Sequence, residues 1–282
     1  MAAGTLYLVA TPIGNLEDVS ARALRVLGEV SFVVCEDTRH SRVLLDRHGL
    51  HRPLVSLPAF AEGERAGPIL DRLLAGEDAA LVTDAGTPGI SDPGERLVAE
   101  ALERGVRVVP VPGPSAAVAA LSASGLPARR FHFVGFLPRK GPERRELLEE
   151  LVPLRATLIF YEAPRRLAET LADLAEALGA DRRACVAREL TKVHEELVRG
   201  SLGALAERYR GQEVLGEVVV LVEGRGEEAR WTEAEVRRAL EDGLGAGERL
   251  KGLSTEIARR AGWSGQEVYR LGLSLKGGAI RR

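Results

Sequence analysis

Two stretches of this chain carry side chains whose types and spacing suit chemistry. The first is Glu36-Asp37-Thr38-Arg39-His40, four ionisable side chains in five residues directly after the apolar run Phe32-Val33-Val34-Cys35. Charged groups gathered at the carboxyl end of a buried strand can move a proton or hold a polar ligand. The same residues also suit a solvated turn closed by its own ion pair, and the sequence leaves both readings open. The second stretch starts from the apolar run Ala79–Val82 and continues as Thr83-Asp84-Ala85-Gly86-Thr87-Pro88-Gly89-Ile90-Ser91-Asp92-Pro93-Gly94. Glycine lets backbone approach a ligand closely, and proline fixes a turn. Ordinary strand-to-helix links need only about two to six residues, so this longer, constrained loop reads as functional. Asp92 reads as the N-cap of the next helix, with Pro93 at its first helical position.

Composition singles out two more residues. Lysine occurs only at Lys140, Lys192, Lys251 and Lys276, and asparagine only at Asn15. This bias fits a GC-rich genome or a thermophile. In a chain that otherwise avoids both residues, Asn15 and Lys192 are the ones to question. The two cysteines, Cys35 and Cys185, lie far apart in apolar runs, so buried thiols are expected in place of a disulfide or a metal site.

These residues need a scaffold. Apolar runs at Leu6–Ala10, Phe32–Cys35, Leu54–Ser56, Ala79–Val82 and Val106–Val109 read as strands. Helical patterns lie between them, which predicts an α/β fold with a mainly parallel sheet. Pro110-Val111-Pro112-Gly113-Pro114 punctuates the chain and marks a domain boundary. Ser115 then caps a small-residue helix. The second half repeats the pattern, with strands at Phe131–Gly135, Thr157–Tyr161, Ala184–Ala187, Leu197–Gly200 and Gly216–Gly224. The expected domains are residues 1–112, residues 113–225 and a helical tail, residues 230–282. In the tail Thr232 with Glu235 and Ser264 with Glu267 form capping boxes, and Ser254 caps a helix over 256–261. Ala258, Gly262 and Val268 have helix-turn-helix spacing, which any helical hairpin also allows. The tail carries a net charge of +4 against −6 for the remainder, so it suits a polyanion.

The chain has 282 residues, 45% hydrophobic and 28% charged, as expected of a globular protein. No apolar run approaches the roughly 18 residues of a membrane span. The start, Met1-Ala2-Ala3-Gly4-Thr5, has no signal-peptide pattern, so a cytoplasmic protein is expected. Neither the dinucleotide fingerprint nor the Walker phosphate loop is present, which argues against NAD and ATP.

The motifs taken together resemble a known family. Leu8-Val9-Ala10-Thr11-Pro12-Ile13-Gly14-Asn15-Leu16-Glu17-Asp18, Glu36-Asp37-Thr38-Arg39, the loop from Thr83 to Gly94, Pro112-Gly113-Pro114-Ser115-Ala116, Phe160-Tyr161-Glu162-Ala163-Pro164-Arg165-Arg166 and Arg188-Glu189-Leu190-Thr191-Lys192 run in order over residues 6–224. In these the chain resembles the tetrapyrrole-methylase superfamily, class III methyltransferases, and more closely the ribosomal RNA small subunit methyltransferase I family. The resemblance implies two α/β domains with S-adenosylmethionine in the cleft between them, a homodimer, and methyl transfer to the ribose 2′-hydroxyl of a cytidine in the decoding region of 16S rRNA. It implies cofactor contacts from Pro12, Asp84, Ala85, Gly86, Thr87, Ile90, Ser115, Ala116, Tyr161, Leu190 and Val219, and no metal. Relatives that methylate tetrapyrroles commonly carry Gly-Asp-Pro where this chain has Gly86-Thr87-Pro88.

A ribose hydroxyl is weakly acidic, so its methylation benefits from a general base or from a cation facing the developing alkoxide. Asp37 and Glu36 are the candidates for base. Lys192 and Arg39 are the candidates for cation, Lys192 because a buried ammonium can lose its proton and guanidinium cannot. Asp37 and Lys192 are the expected catalytic pair. Glu36, Arg39, Arg139, Lys140, Arg259, Arg260 and Arg270 are the expected RNA contacts. The alternatives are a tetrapyrrole C-methyltransferase of the same fold and a non-catalytic RNA-binding protein.

Overall fold

A computed structural model describes residues 2–226, 231–261 and 263–279. Gly262 and the side chains of Arg259 and Arg260 lie outside the described residues, as does most of the expected linker at 226–228. Residues 1–224 form one compact unit and residues 225–282 another.

In the first half β1 (Thr5–Val9), α1 (Ala21–Glu29), β2 (Phe32–Cys35), α2 (Thr38–Arg47), β3 (Leu54–Ser56), α3 (Glu62–Leu74), β4 (Ala79–Leu81), α4 (Glu95–Glu103) and β5 (Arg107–Val111) alternate. The five strands form a wholly parallel sheet in the order β3-β2-β4-β1-β5. Parallel strands carry helices on both faces, which is why they read as unbroken apolar runs. Leu6, Phe32 and Leu81 pack with α3 and α4 on one face. Val9, Val33 and Val82 pack with Ala23, Val26 and Leu27 of α1 on the other. Because α1 and α4 leave the adjacent strands β1 and β4 toward opposite faces, a crevice opens where those strands end.

The second half contains α5 (Ala116–Ser124), β6 (Phe131–Phe136), α6 (Pro142–Leu151), β7 (Thr157–Glu162), α7 (Leu167–Leu178), β8 (Arg183–Arg188), β9 (Glu196–Ser201), α8 (Leu202–Tyr209) and β10 (Val218–Val222). Its sheet has the order β6-β7-β10-β8-β9. Here the expectation of a mainly parallel sheet fails. Only β6 and β7 are parallel; β10 runs antiparallel to both β7 and β8, and β9 antiparallel to β8. Polar neighbours do not betray strand direction when both faces are covered, and both are covered here. Leucines of α6, α7 and α8 pack on one face, while the alanines of α5 and Ile13 from the first half pack on the other.

The tail folds as α9 (Glu233–Gly245), α10 (Leu250–Ala261) and α11 (Gly265–Ala279) around its own core of Val236, Leu240, Leu250, Leu253, Ile257, Ala258, Ala261 and Val268. Both capping boxes form, at Thr232/Glu235 and Ser264/Glu267. Ser254 does not cap a helix. It lies inside α10, 2% exposed, because the apolar stripe Leu250, Leu253, Ile257, Ala261 carries the helix upstream of it. Trp263 Nε1 donates to the carbonyl of Trp231 at 2.7 Å, and both rings pack against the tail's own core.

Candidate active site

The loop after β1 and the loop after β4 are tied to each other. Thr11 and Gly86 exchange backbone hydrogen bonds, Thr11 N to Gly86 O at 2.8 Å and Gly86 N to Thr11 O at 3.1 Å. The Thr11 hydroxyl donates to Thr83 O at 2.9 Å. Gly86 has φ +88°, a conformation that L side chains rarely adopt. Thr87 Oγ1 reaches across to Pro114 O at 3.3 Å, joining this floor to the start of α5.

The other wall comes from the second sheet. The loop after β8 holds Glu189 at φ +52° and Thr191 at φ +65°, strained conformations that cluster at functional sites. Asn15 N donates to Thr191 Oγ1 at 3.0 Å. A Cβ on Gly14 would fall 2.5 Å from Lys192 Cγ, so glycine is required where these two loops touch. Asn15 and Lys192, singled out by their rarity, thus meet at one junction between the two halves of the unit.

Between the walls lies a cavity of about 370 Å³, within the usual range of small-molecule sites. Nine of the eleven residues expected at the cofactor line it: Ala85, Gly86, Thr87, Ile90, Ser115, Ala116, Tyr161, Leu190 and Val219. Pro12 and Asp84 are not among the lining residues, although their neighbours Ile13 and Ala85 are. The Ser115 side chain makes no capping bond, which leaves it to the cavity.

The structure adds residues that the sequence did not assign to the cavity. Asp92 lines the cavity and is not the cap of α4. That helix starts at Glu95 with Gly94 as N-cap, and the N–H groups of Gly94 and Leu97 donate to Glu62 Oε1 at 3.1 and 3.0 Å. A carboxylate from α3 does the capping and frees Asp92. Burial pushes the Asp92 carboxyl above its ordinary range, and the neighbouring Asp84 adds to the effect. Asp84 itself has a buried, unpartnered Oδ1. Glu217 also lines the cavity. It escaped the sequence pattern because β10 is antiparallel, which puts the amino end of that strand beside the carboxyl ends of β7 and β8: Val218 pairs with both Glu162 and Arg188. Phe136 lines the cavity as well.

The ionisable cluster after β2 separates. Asp37 caps α2, accepting from Arg39 N at 2.8 Å, and its other oxygen takes Arg39 Nη2 at 2.7 Å. These bonds hold its carboxyl down to about 2. The turn is closed by its own ion pair at Asp37–Arg39. Burial raises the Glu36 pKa, with Asp84, Asp92 and Asp37 contributing. None of Glu36, Asp37 and Arg39 lines the cavity.

The expectation that Lys192 could lose its proton is corrected. Burial alone would lower its pKa, but Nζ lies 2.9 Å from Glu189 Oε1 and 3.2 Å from Glu217 Oε2, and the net shift is upward. Two carboxylates keep it an ammonium. Arg139 and Lys140 are exposed in the loop after β6, and Arg270 is exposed on α11.

The arrangement fits S-adenosylmethionine. Ile13, Ile90, Leu190 and Val219 offer apolar walls for a purine, and Asp92 and Glu217 offer negative charge for a cationic sulfonium or ammonium. A family model described as Tetrapyrrole (Corrin/Porphyrin) Methylases matches residues 5–206. Uroporphyrin-III C-methyl transferase from Thermus thermophilus, solved in complex with S-adenyl homocysteine, superposes with a TM-score of 0.57 at 23% identity over 77% of this chain and 97% of that one. A conserved hypothetical protein from Aeropyrum pernix covers 98% of both chains with a TM-score of 0.61 at 21% identity. These likenesses show the shared fold, and the family model over most of the chain puts it in the tetrapyrrole methylase class of S-adenosylmethionine-dependent methyltransferases.

The sequence comparisons are narrower. The ribosomal RNA small subunit methyltransferase I of Mesorhizobium japonicum is 49% identical over 272 residues, 96% of this chain and 92% of that protein. The protein of the same name from Halalkalibacterium halodurans is 44% identical over 273 residues, 95% of this chain and 94% of that one. The chain belongs to the ribosomal RNA small subunit methyltransferase I family.

Proposed function

We propose that this protein methylates small-subunit ribosomal RNA at the ribose 2′-hydroxyl of a cytidine in the decoding region, acting as a homodimer. Family membership supports RNA as the substrate. The observation that carries the choice of a hydroxyl acceptor is Asp92, a carboxylate in the cavity wall with a raised pKa. S-adenosylmethionine, when bound, supplies an electrophilic methyl group on a sulfonium. Asp92 accepts the hydroxyl proton as the oxygen becomes nucleophilic. The Thr11–Gly86 bridge holds the floor of the cavity rigid, so that acceptor and donor meet in a fixed geometry. Lys192, held as a cation, bridges Glu189 and Glu217 and orders the wall opposite. In this reading Asp92 takes the role that Asp37 was expected to fill.

The test is to incubate the protein with radiolabelled S-adenosylmethionine and either small ribosomal subunits or a tetrapyrrole precursor, then to hydrolyse the recovered rRNA in alkali. A 2′-O-methyl group blocks alkaline cleavage, so the label should appear in an alkali-resistant dinucleotide. Label in mononucleotides would mean base methylation and would sink the ribose assignment. Label in the tetrapyrrole would sink the RNA reading.

The tail is proposed to hold RNA through its phosphates, with Arg259, Arg260 and Arg270 as the candidates. Its net +4 charge and its self-contained core support this. Deleting residues 230–282 should leave cofactor binding intact and weaken binding to rRNA. It should also make the salt dependence shallower, by about one unit of slope for each phosphate that the tail neutralises. An unchanged salt slope in filter binding would remove the tail from RNA recognition.

A further inference from the structure

The strand β6 contains an irregularity beside the cavity. Its register against β7 pairs Phe133 with Ile159, Gly135 with Phe160 and Phe136 with Tyr161, with a shift between Phe133 and Gly135. Two steps along β7 therefore match three along β6. In a regular strand Phe133 and Phe136 would face opposite sides. The extra residue turns both to the inner face, where they meet the Tyr161 ring edge-on, with centroids 4.9 Å and 5.8 Å away. Gly135 makes this possible: it lies at φ +74°, and a Cβ there would come within 3.2 Å of Ser91 Oγ. Bulges that re-aim a side chain are common next to active sites.

The re-aimed ring is 54% exposed at the cavity wall. The segment behind it is firmly held. Leu137 O accepts from Arg166 Nη2 and Pro138 O accepts from Arg144 Nη1, each at 2.9 Å. Arg166 is paired with the fully buried Glu162, and Arg144 with Asp173 at 2.7 Å. Exposed Arg139 and Lys140 follow at once. A rigid, half-exposed aromatic face beside two exposed cations matches the chemistry of a nucleotide, with a base for the ring and phosphates for the cations.

We infer that Phe136 is the platform on which the base of the target nucleotide stacks while its ribose enters the cavity, an inference that rests on the RNA-methylation reading above. A nucleotide splayed out of its stack can put its ribose into the cavity beside the half-buried Asp92, and the ring replaces that stacking. The purine of the cofactor is the competing occupant, and the test separates the two.

Phe136→Ala, Phe136→Leu and Phe136→Trp should be compared with wild type for methylation of small subunits and for S-adenosylmethionine affinity by calorimetry. For Ala and Leu, kcat/KM on the RNA should fall by about 10- to 100-fold, the usual range for removing one base–aromatic stack. Trp should restore most of it, and cofactor affinity should stay at the wild-type value in all three. Leucine fills the space without a π face, so wild-type kcat/KM in Phe136→Leu overturns the inference. So does a loss of cofactor affinity that matches the loss in kcat/KM, which would assign the ring to the cofactor. No transfer to small subunits by the wild-type protein would overturn the underlying reading and this inference with it.

Discussion

Asp92→Asn is expected to slow single-turnover methyl transfer by about 10²- to 10⁴-fold, the usual contribution of a positioned general base. Cofactor affinity should fall far less than the rate, because Glu217 keeps a carboxylate in the cavity wall and the amide keeps the shape of the side chain. Asp37→Asn should leave turnover within about threefold of wild type: asparagine is as good an N-cap as aspartate, and a carboxyl held down to about 2 by Arg39 is a poor proton acceptor at neutral pH. The wild-type rate should fall with decreasing pH through a pKa above the ordinary carboxylate range, since burial raises that of Asp92, and this limb should vanish in Asp92→Asn. Stability supplies an independent readout. A carboxyl whose folded pKa is raised favours the fold most below its unfolded pKa, and that contribution is lost as pH rises through the folded value. At neutral pH Asp92→Asn should therefore melt at or slightly above the wild-type temperature. A variant that lost both activity and stability would instead mark Asp92 as structural, and one with normal single-turnover rates would remove it from the mechanism.

Gly86→Val should abolish measurable S-adenosylmethionine binding. Bulk against the ligand is the reason that sequence alone suggests. The structure supplies a different one. A Cβ at Gly86 would meet Ile13 Cγ2 at 3.6 Å and Pro114 O at 3.9 Å, ordinary contacts, so space is not the obstacle. The obstacle is φ +88°, which costs a non-glycine residue about 1–3 kcal/mol and a β-branched one more. Both the N–H and the carbonyl of Gly86 are tied to Thr11, so the backbone can relax only by pulling the two loops apart. Gly86→Ala should already weaken binding about 5- to 100-fold by the same conversion. Gly105→Ala is the control: it has φ +74° with open space around the Cβ, and it should lower the melting temperature without touching cofactor affinity. Calorimetry showing wild-type affinity in Gly86→Val would remove this loop from the cofactor site.

Much of this protein is readable locally. Val218–Val222 and Phe32–Cys35 are strands because every residue is apolar and both faces are covered. Ser20 caps α1 and Thr232 caps α9 because a hydroxyl three residues ahead of an unbonded N–H can reach it. The loop from Thr83 to Gly94 stands out through glycines whose left-handed conformations the chain then uses. Such features depend on neighbours within a few residues, and the sequence contains them all. What only the tertiary structure decided involves partners remote along the chain. Asp92 is free for the cavity only because Glu62, thirty residues earlier, caps α4 in its place. Glu217 enters the site because β10 runs antiparallel, a direction that no apolar pattern encodes. Phe136 faces inward because one extra residue slips the register of β6. Lys192 is held as a cation by its near neighbour Glu189, 2.9 Å from Nζ, and by Glu217, distant in sequence, at 3.2 Å. Charge and direction at this site are set by groups that meet only after folding, whereas apolar periodicity and local hydroxyl caps such as Ser20 and Thr232 are set before it.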